Sequence, residues 1–227
     1  MPKIAPSKVE SPILELFGVA TPLVFGSVRE FTVEPLEISM ITSLIEEIHY
    51  SHNVTGIQAT HCFGLFHGTT LIYGPLAMPG VYKKYVDDPD DIIELRRLAC
   101  VEEAPRNTES YFIGQTLRWL KRNTKYKVVI SYADSHHGHK GIIYQASNFE
   151  HVGMTLPGKL IDAGGGLFYH DRALRNYRTD KFGVKRLKKF AQKLLDALAS
   201  GDAKIVQTSG KHTYIYRLKP NAKVVSP

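Results

Sequence analysis

The 227-residue sequence has only two cysteines, Cys62 and Cys100, and they do not form a Cys-x-x-Cys pair. This shortage excludes a small fold held together by several disulfides, and it gives no indication of a thiolate zinc site. Both cysteines lie among apolar residues. We therefore expect buried core residues rather than nucleophiles.

Long apolar runs are also missing, since none approaches the roughly 18 to 20 residues that a membrane span needs. The first residues, Met1 to Pro6, lack the apolar stretch of a secretory signal. The composition, 43% hydrophobic and 22% charged, is typical of a packed globular chain and argues against disorder. We expect a cytoplasmic protein that has no membrane partner.

Positive charge is concentrated in one segment of the chain. Between Arg172 and Lys193 there are nine basic residues and one acidic residue, whereas the whole chain carries a net charge of only +7. Such a local excess favours a polyanionic partner, because each neutralised phosphate releases counterions. A solvated helix face is the alternative, and charge alone leaves both interpretations open.

The spacing of apolar residues predicts the order of helices and strands. Helices are predicted over residues 35–50, 141–148 and 184–199, and a further helix is predicted to begin after a cap at Asn107 or Thr108. Strands are predicted over 14–19, 23–28, 61–67, 69–76, 92–101, 127–133, 160–162, 167–170 and 213–218. This order predicts one α/β domain with a mixed central sheet and helices on both faces. Residues 1–34 would form an arm or edge strands, and 171–200 a basic helical segment.

Four ordered motifs carry a resemblance to a known family. They are Glu94-Leu95-Arg96-Arg97-Leu98, Pro105-Arg106-Asn107-Thr108-Glu109-Ser110, Ser131-Tyr132-Ala133-Asp134 and the run from Gly138 to Asn148. Together with His49-Tyr50-Ser51, they resemble the Mom family of phage DNA-modification proteins. The resemblance covers roughly residues 35 to 170, and the joint occurrence is more specific than any single motif.

The resemblance implies a fold similar to the GNAT acyltransferases and an activity on double-stranded DNA. The reaction would convert the N6 amine of adenine to a carbamoylmethyl form, using a small-molecule group donor, and so hide phage DNA from restriction enzymes. GNAT enzymes usually hold the pyrophosphate of coenzyme A in a glycine-rich turn. Here that turn, residues 102–108, has no glycine, which disfavours an acetyl-coenzyme A-like donor. Residues around the turn that could hold another anionic donor are Arg106, Asn107, Thr108 and Ser110.

Asp134 and Arg97 are the leading catalytic candidates. Adenine N6 is a poor nucleophile, so an enzyme must flip the base out and polarise the amine. Asp134 follows a buried strand, where α/β sheets place ligands, and it would be the acceptor or base; alternatively it caps the next turn. Arg97, in an apolar strand, would hold the donor's carbonyl or carboxylate, pair with Asp134, or form a structural salt bridge. Its neighbour Arg96 is expected to face the opposite side.

Further candidates come from the resemblance. His49 and Tyr50 are similar to positions that line the family's cleft, although a histidine at a helix end is also favoured by the helix dipole. Tyr144 resembles the hydroxyl that GNAT folds use as a general acid, and Ser131 is a secondary candidate.

The loop with His136, His137 and His139 raises the question of iron or zinc. No ligand spacing there matches a recognised site, so we assign no metal ligands and expect the loop to close over the nucleotide or touch phosphate. The basic segment interleaves cations with aromatic residues, which suits DNA. The expected DNA contacts are Arg172, Arg175, Arg178, Lys185, Arg186, Lys188 and Lys189.

Two other functions stay open from the sequence. One is an ordinary acyl-coenzyme A N-acyltransferase, which would bind coenzyme A without DNA. The other is a DNA-binding protein without catalysis, which would use the basic segment alone.

Overall fold

The computed structural model describes residues 27–49, 57–65, 69–101 and 104–220. The strand predicted over 14–19 and most of that over 23–28 lie outside these residues, and Val28–Glu30 forms a short 3-10 helix. The chain groups into two compact units: residues 1–132, 141–152 and 214–227 belong to the first, and 133–140 with 153–213 belong to the second. The assignment of residues 1–227 to a single domain stays a prediction.

Within the described ranges the elements follow one another in a mixed order. In chain order they are β1 (Val33–Leu36), α1 (Ile38–Ile48), β2 (His61–Leu65), β3 (Thr69–Gly74), β4 (Ile92–Ala99), α2 (Thr108–Asn123), β5 (Val128–Asp134), α3 (Ile142–Ala146), β6 (Glu150–Met154), β7 (Lys159–Asp162), β8 (Phe168–His170), β9 (Tyr177–Thr179), β10 (Lys185–Leu187), α4 (Lys189–Ser200), β11 (Lys204–Gln207) and β12 (Lys211–Arg217). None of the helices in these ranges combines the length and apolar character needed to cross a membrane.

A seven-stranded mixed sheet forms the frame of the first unit. Its order is β1-β2-β3-β4-β5-β12-β6, with β4 and β5 parallel and β1 to β4 antiparallel to their neighbours. Cys62 of β2 packs with Ile41 and Ile45 of α1. The adjacent Phe63 lies 5.1 Å, between ring centroids, from Trp119 of α2. Successive strand residues point to opposite faces, so a helix covers each face and the predicted mixed α/β fold is confirmed.

Burial of the predicted apolar stripes stabilises this unit. Ile113 and Leu120 of α2 and Ile130 of β5 are fully buried, and each such side chain contributes about 1.5–3 kcal/mol. Cys62 is buried, as expected, and burial together with the Glu37 carboxylate raises the pKa of its thiol to about 11. Its thiol is therefore a poor nucleophile at neutral pH.

The two ends of this sheet differ from the prediction. Pro35 lies inside β1 and not in the first turn of a helix, because α1 begins only at Ile38. Among the described strands β1 is outermost, and a proline is tolerated on such an edge because it need not donate to a further strand. The strand β6 was not predicted, because its residues are mostly exposed and lack alternation.

The second unit is built on a smaller antiparallel sheet with the order β11-β7-β8. Ile161 of β7 packs with Leu194 of α4 and with Ala203. The helix predicted over 184–199 begins only at Lys189, and Lys185–Leu187 is instead a strand paired with Tyr177–Thr179. Lys185 and Arg186 therefore lie on a β-hairpin rather than on a basic helix.

Candidate active site

A β-bulge at Arg96 decides where the two neighbouring arginines point. Arg97 pairs with Ile72 of β3, but Leu95 pairs with Tyr73, so Arg96 has no opposite residue. Paired residues share a face, which places Arg97 on the face of Ile72. A Cβ at Gly74, which shares that face, would lie 3.0 Å from Arg96 Cδ. The prediction that Arg96 faces the opposite side is therefore wrong, since the bulge breaks the alternation.

Arg96 and Glu94 form an ion pair beside Arg97. Arg96 Nε lies 3.8 Å from Glu94 Oε1, and Glu94 Oε2 accepts a 2.6 Å hydrogen bond from the backbone N–H of Ala77. Both side chains are largely buried. Arg97 Nη1 donates to the Arg96 carbonyl oxygen at 2.8 Å. This bond holds the guanidinium of Arg97 against its own strand, on the face that α1 covers.

His49 lies at the end of α1, on that same face of the sheet. It is the C-cap residue, it is buried, and its N–H donates to the Ile45 carbonyl oxygen. α1 packs on Ile72, the residue that pairs with Arg97. The structure thus places the predicted His49 and Arg97 on one face, and the position of His49 also fits the helix-dipole interpretation. The predicted Tyr50 lies outside the described residues.

The sheet opens between β4 and β5. Their pairing runs from Ile92 and Val128 to Leu95 and Ser131, and no further pair joins the two strands in the described part of the chain. The hydroxyl of Ser131 donates to the Leu95 carbonyl oxygen at 3.1 Å and is buried. This bond gives Ser131 a structural role at the last pair, while its catalytic role stays a prediction.

Tyr132, just past this last pair, is a polar residue that the sequence analysis did not single out. Its hydroxyl oxygen is buried and has no hydrogen-bond partner among the described residues. Burial, with the nearby Glu94 charge second, raises the pKa of Tyr132. A buried hydroxyl without a partner costs roughly 1–3 kcal/mol. Only the structure reveals this feature, because the sequence of a strand does not show which hydroxyl groups lack a hydrogen-bond partner.

Tyr144 is buried in a cluster of aromatic rings on α3. Its ring lies 5.3 Å from that of Tyr214 and 5.6 Å from that of Phe149, between centroids. Gly141 has a φ of +70° just before α3, and a Cβ there would overlap the Tyr214 ring. The short helix and its tyrosine thus depend on a glycine at position 141.

The predicted donor-binding residues surround the start of α2. Asn107 is the N-cap residue, as predicted, but it has a φ of 68° and its side chain makes no capping bond. The Thr108 hydroxyl donates to the Pro105 carbonyl oxygen, and Ser110 Oγ donates to that of Asn107. Arg106 is exposed. An anion at this turn would therefore meet Arg106 and backbone N–H groups rather than the two hydroxyls, and donor binding here stays a prediction.

In the second unit Asp134 pairs with Lys211, a residue the sequence analysis missed. Lys211 Nζ lies 2.6 Å from Asp134 Oδ2, and Asp134 Oδ1 accepts from the His136 N–H at 3.1 Å. Partial burial alone would raise the pKa of Asp134, but the Lys211 ammonium and the His136 N–H together lower it. Asp134 is thus a carboxylate at neutral pH that caps the following turn and carries a counter-ion.

The rings of the histidine loop after Asp134 meet edge to face. His136 and His137 lie 5.4 Å apart between centroids, and the exposed Phe168 lies 6.3 Å from His136. Ser135 Oγ donates to the Gly210 carbonyl oxygen and anchors the loop. Within the described ranges, no three His, Cys, Asp or Glu side chains come together in a geometry that would hold a metal ion.

The predicted DNA contacts of the second unit are all exposed. They are Arg172, Arg175, Arg178, Lys185, Arg186, Lys188 and Lys189. Two of them make ion pairs: Arg175 with Asp171 at 3.1 Å, and Arg186 with Asp180 at 2.8 Å. Exposed cations are accessible to phosphate oxygens, and the role of these residues as DNA contacts stays a prediction.

Comparisons with known proteins agree with the motifs. The family model described as the Mom protein family matches residues 30–226. The methylcarbamoylase mom of Escherichia phage Mu is 30% identical over 136 residues, which cover 57% of this chain and 56% of that protein. The chain thus spans little more than half the length of this relative.

Three solved acetyltransferases are similar in structure, each over 83% of this chain. One from Bacillus subtilis, in complex with CoA, has a TM-score of 0.46 and 11% identity and is covered over 99% of its length. An N-acetyltransferase from Staphylococcus aureus Mu50 has a TM-score of 0.42 and 10% identity, with 97% covered. A putative acetyltransferase of the GNAT family from Desulfovibrio desulfuricans has a TM-score of 0.44 and 8% identity, with 99% covered.

Proposed function

Because the chain belongs to the Mom protein family, we propose that it is a transferase that modifies phage DNA, converting the N6 amine of adenine to its carbamoylmethyl form. The observation that carries this proposal is the extent of the family match, residues 30–226. It includes the bulge at Arg96 and the Asp134–Lys211 pair. The proposed benefit is protection of the DNA from restriction enzymes.

The proposed reaction joins adenine N6 to the methylene carbon of a small-molecule donor. The N6–C bond forms as the bond from that carbon to the donor's leaving group breaks, the leaving group departs with the bonding electron pair, and the amine loses one proton to the solvent. The base must first leave the duplex, at a cost of a few kcal/mol. The chain's own residues therefore have three tasks: to hold an extruded base, to accept a hydrogen from the amine, and to hold the donor.

Asp134 is the proposed acceptor for the amine. Its partial burial is outweighed by the Lys211 ammonium and the His136 N–H, which lower its pKa, so at neutral pH it is a carboxylate that accepts hydrogen bonds from N–H groups without first losing a proton. Such a carboxylate is a weak base, and its main contribution is to polarise and orient the amine as the N–C bond forms. Lys211 is a positioning residue that keeps the carboxylate ionised.

Arg97 is the proposed donor-binding residue. Its guanidinium has a planar set of donors that match a carbonyl or carboxylate oxygen. The bond from Nη1 to the Arg96 carbonyl oxygen fixes one side of the group. The Glu94 carboxylate is paired with Arg96 and accepts a hydrogen bond from the N–H of Ala77. It therefore holds the Arg96 side chain in place beside Arg97.

The test is mass spectrometry of nucleosides from plasmid DNA recovered from cells that express the protein, since the host then supplies the donor. We expect an adenosine species heavier by one carbamoylmethyl group, and its loss with Asp134→Asn and with Arg97→Ala. Arg118→Ala, at an exposed position of α2, is the matched control and should leave the species unchanged. Unmodified DNA from cells containing abundant folded protein, in a host shown to support the phage Mu relative, would contradict the proposal.

A non-catalytic DNA-binding protein is separated from this proposal by the same variants. Asp134→Asn should abolish the modified nucleoside while DNA affinity stays within about twofold, because the hairpin cations are unchanged. DNA binding by the wild type without any modified nucleoside would favour binding alone.

A further inference from the structure

The tip of the β9–β10 hairpin is locked by one aspartate. Asp180 Oδ1 accepts from the backbone N–H groups of Phe182 at 2.9 Å and Val184 at 3.0 Å, and Oδ2 accepts from Arg186 Nε at 2.8 Å. The Gly183 N–H donates to the Asp180 carbonyl oxygen, and the Asp180 N–H donates to that of Val184. Five hydrogen bonds within so short a turn fix the backbone of the tip.

This fixed tip presents an aromatic ring to solvent. Phe182 is 77% exposed, and Lys181 Nζ lies 5.0 Å from its ring centroid. Full burial of a phenylalanine side chain would contribute about 1.5–3 kcal/mol to the stability of the fold. The ring of Phe182 does not make this contribution, although the turn holds its backbone in a fixed position. The ring is therefore available to an external partner.

Cations lie on both strands of the hairpin. Arg178 pairs directly with Arg186 across the hairpin, and Lys185 pairs with Thr179. Like charges in opposite positions destabilise a hairpin, and Asp180 offsets only one of the two arginines. An arrangement that is unfavourable in the free protein becomes favourable against phosphates, whose neutralisation releases counterions.

We propose that residues 177–187 form a DNA-binding ribbon whose tip inserts Phe182 into the base stack. A two-stranded ribbon fits a DNA groove, and apolar wedges such as phenylalanine enter between base steps and unstack them. The inserted ring would fill the space that an extruded adenine leaves. Stacking of an aromatic ring on a base contributes about 1–3 kcal/mol, which is the size of the cost of flipping. This inference rests on the proposed function, since it assigns the device that opens the duplex.

The first test measures DNA unwinding. A relaxed plasmid is treated with topoisomerase in the presence of the protein, freed of protein, and its linking number determined. Wild type and Leu156→Ala should change the linking number equally, because Leu156 is an exposed loop residue, 89% accessible, outside the hairpin. Phe182→Ala should lose the change, and Phe182→Leu should keep part of it. Equal unwinding by Phe182→Ala at matched occupancy would overturn the wedge.

The second test separates the wedge from the reaction. The modified adenosine is measured in plasmid DNA from cells expressing each variant, and we expect Phe182→Ala to lower it about tenfold or more, as a lost stacking contribution of about 1.4 kcal/mol would. If the wild type makes the modified adenosine and Phe182→Ala makes as much of it, the wedge is refuted and the proposed function stands. No modification by the wild type would refute the function instead. Phe182→Ala retains the backbone N–H that Asp180 binds, so the tip stays folded.

Discussion

Lys211 Nζ lies 2.6 Å from Asp134 Oδ2, which joins the last residue of β5 to the first residue of β12. The Asp134 side chain is largely buried, whereas Lys211 is about half exposed. The pair therefore joins a largely buried carboxylate to an ammonium group that is much more accessible to water.

Replacing this cation should change the titration of Asp134. With Lys211→Met, we expect the pKa of Asp134 to rise toward or above its ordinary value, because partial burial then acts without the opposing ammonium. The measurement is an NMR titration of carboxyl carbons in both proteins. An unchanged pKa would mean that the His136 N–H alone holds the carboxylate ionised.

The same variant should alter the pH dependence of stability. The folded-state pKa of Asp134 is lowered, so the pair contributes at pH values above the unfolded-state pKa, and the contribution is lost as pH falls through the folded-state pKa. We expect Lys211→Met to reduce the free energy of unfolding by about 0.5–1 kcal/mol at pH 7. The difference should vanish in urea unfolding below the folded-state pKa, and a difference that persists there would show that lost packing is responsible.

The modification reaction should depend on the planar guanidinium of Arg97 and not only on its positive charge. Arg97→Lys keeps the charge but loses the planar set of donors, so we expect the modified nucleoside to fall at least about tenfold, as for the loss of one charge-assisted hydrogen bond. Arg97→Ala should remove it altogether. Thermal unfolding of both variants serves as the control, and full activity of Arg97→Lys would restrict the role of Arg97 to charge.

Two glycines with a similar backbone conformation should differ in their tolerance of a methyl group. Gly138 and Gly141 have φ values of 74° and 70°, but only at Gly141 would a Cβ overlap a ring, that of Tyr214. Gly138→Ala should cost about 1 kcal/mol of stability for the left-handed conformation alone. Gly141→Ala should cost about 3 kcal/mol, since overlap is added. Denaturant unfolding of both proteins would measure this, and equal losses would mean that the Tyr214 ring moves aside.

The cations of the hairpin, together with Lys188 directly after it, should set the salt dependence of DNA binding. The variant Arg178→Gln, Lys185→Gln and Lys188→Gln spares Arg186, which is bonded to Asp180. If all three contact phosphate, the slope of log affinity against log salt should fall by about 2.7. Fluorescence titrations of duplex DNA at several salt concentrations would measure it.

The matched control for that experiment removes three exposed lysines from the first unit. Lys83→Gln, Lys84→Gln and Lys121→Gln change the net charge by the same amount. The slope should then stay close to the wild-type value. Equal slopes for both triple variants would show that binding responds to total charge and not to the hairpin.

Elements with a strong periodic core could be predicted from the sequence. The buried strand β5 and the helix α2 lie close to their predicted bounds, because fully buried residues such as Ile130, Ile113 and Leu120 dominate their patterns. Lys185–Leu187 could not be predicted, because Leu187, Phe190 and Ala191 continue a helical spacing. That strand instead pairs with Tyr177–Thr179, and the Asp180 turn that joins them depends on side-chain bonds that no periodicity encodes.

The sequence names candidate residues but does not give the contacts that each of them makes. The motifs identified Arg97 and Asp134, yet a one-residue bulge turns Arg96 to the same face as Arg97. Lys211 is distant from Asp134 in sequence and lies among unremarkable polar residues. The contacts of Arg96 and Lys211 depend on strand register and on which distant strands become neighbours in the sheet. A local sequence pattern does not determine either of these.

Pro35 has a consequence for how the protein behaves at high concentration. The outermost strand of a sheet offers unpaired N–H and C=O groups to a strand of another molecule, which is the usual start of aggregation. Pro35 lies in the middle of β1, the outermost described strand, and it has no N–H to offer. Within the described part of the chain, a strand of only four residues that contains a proline is a poor template for a strand of a second molecule.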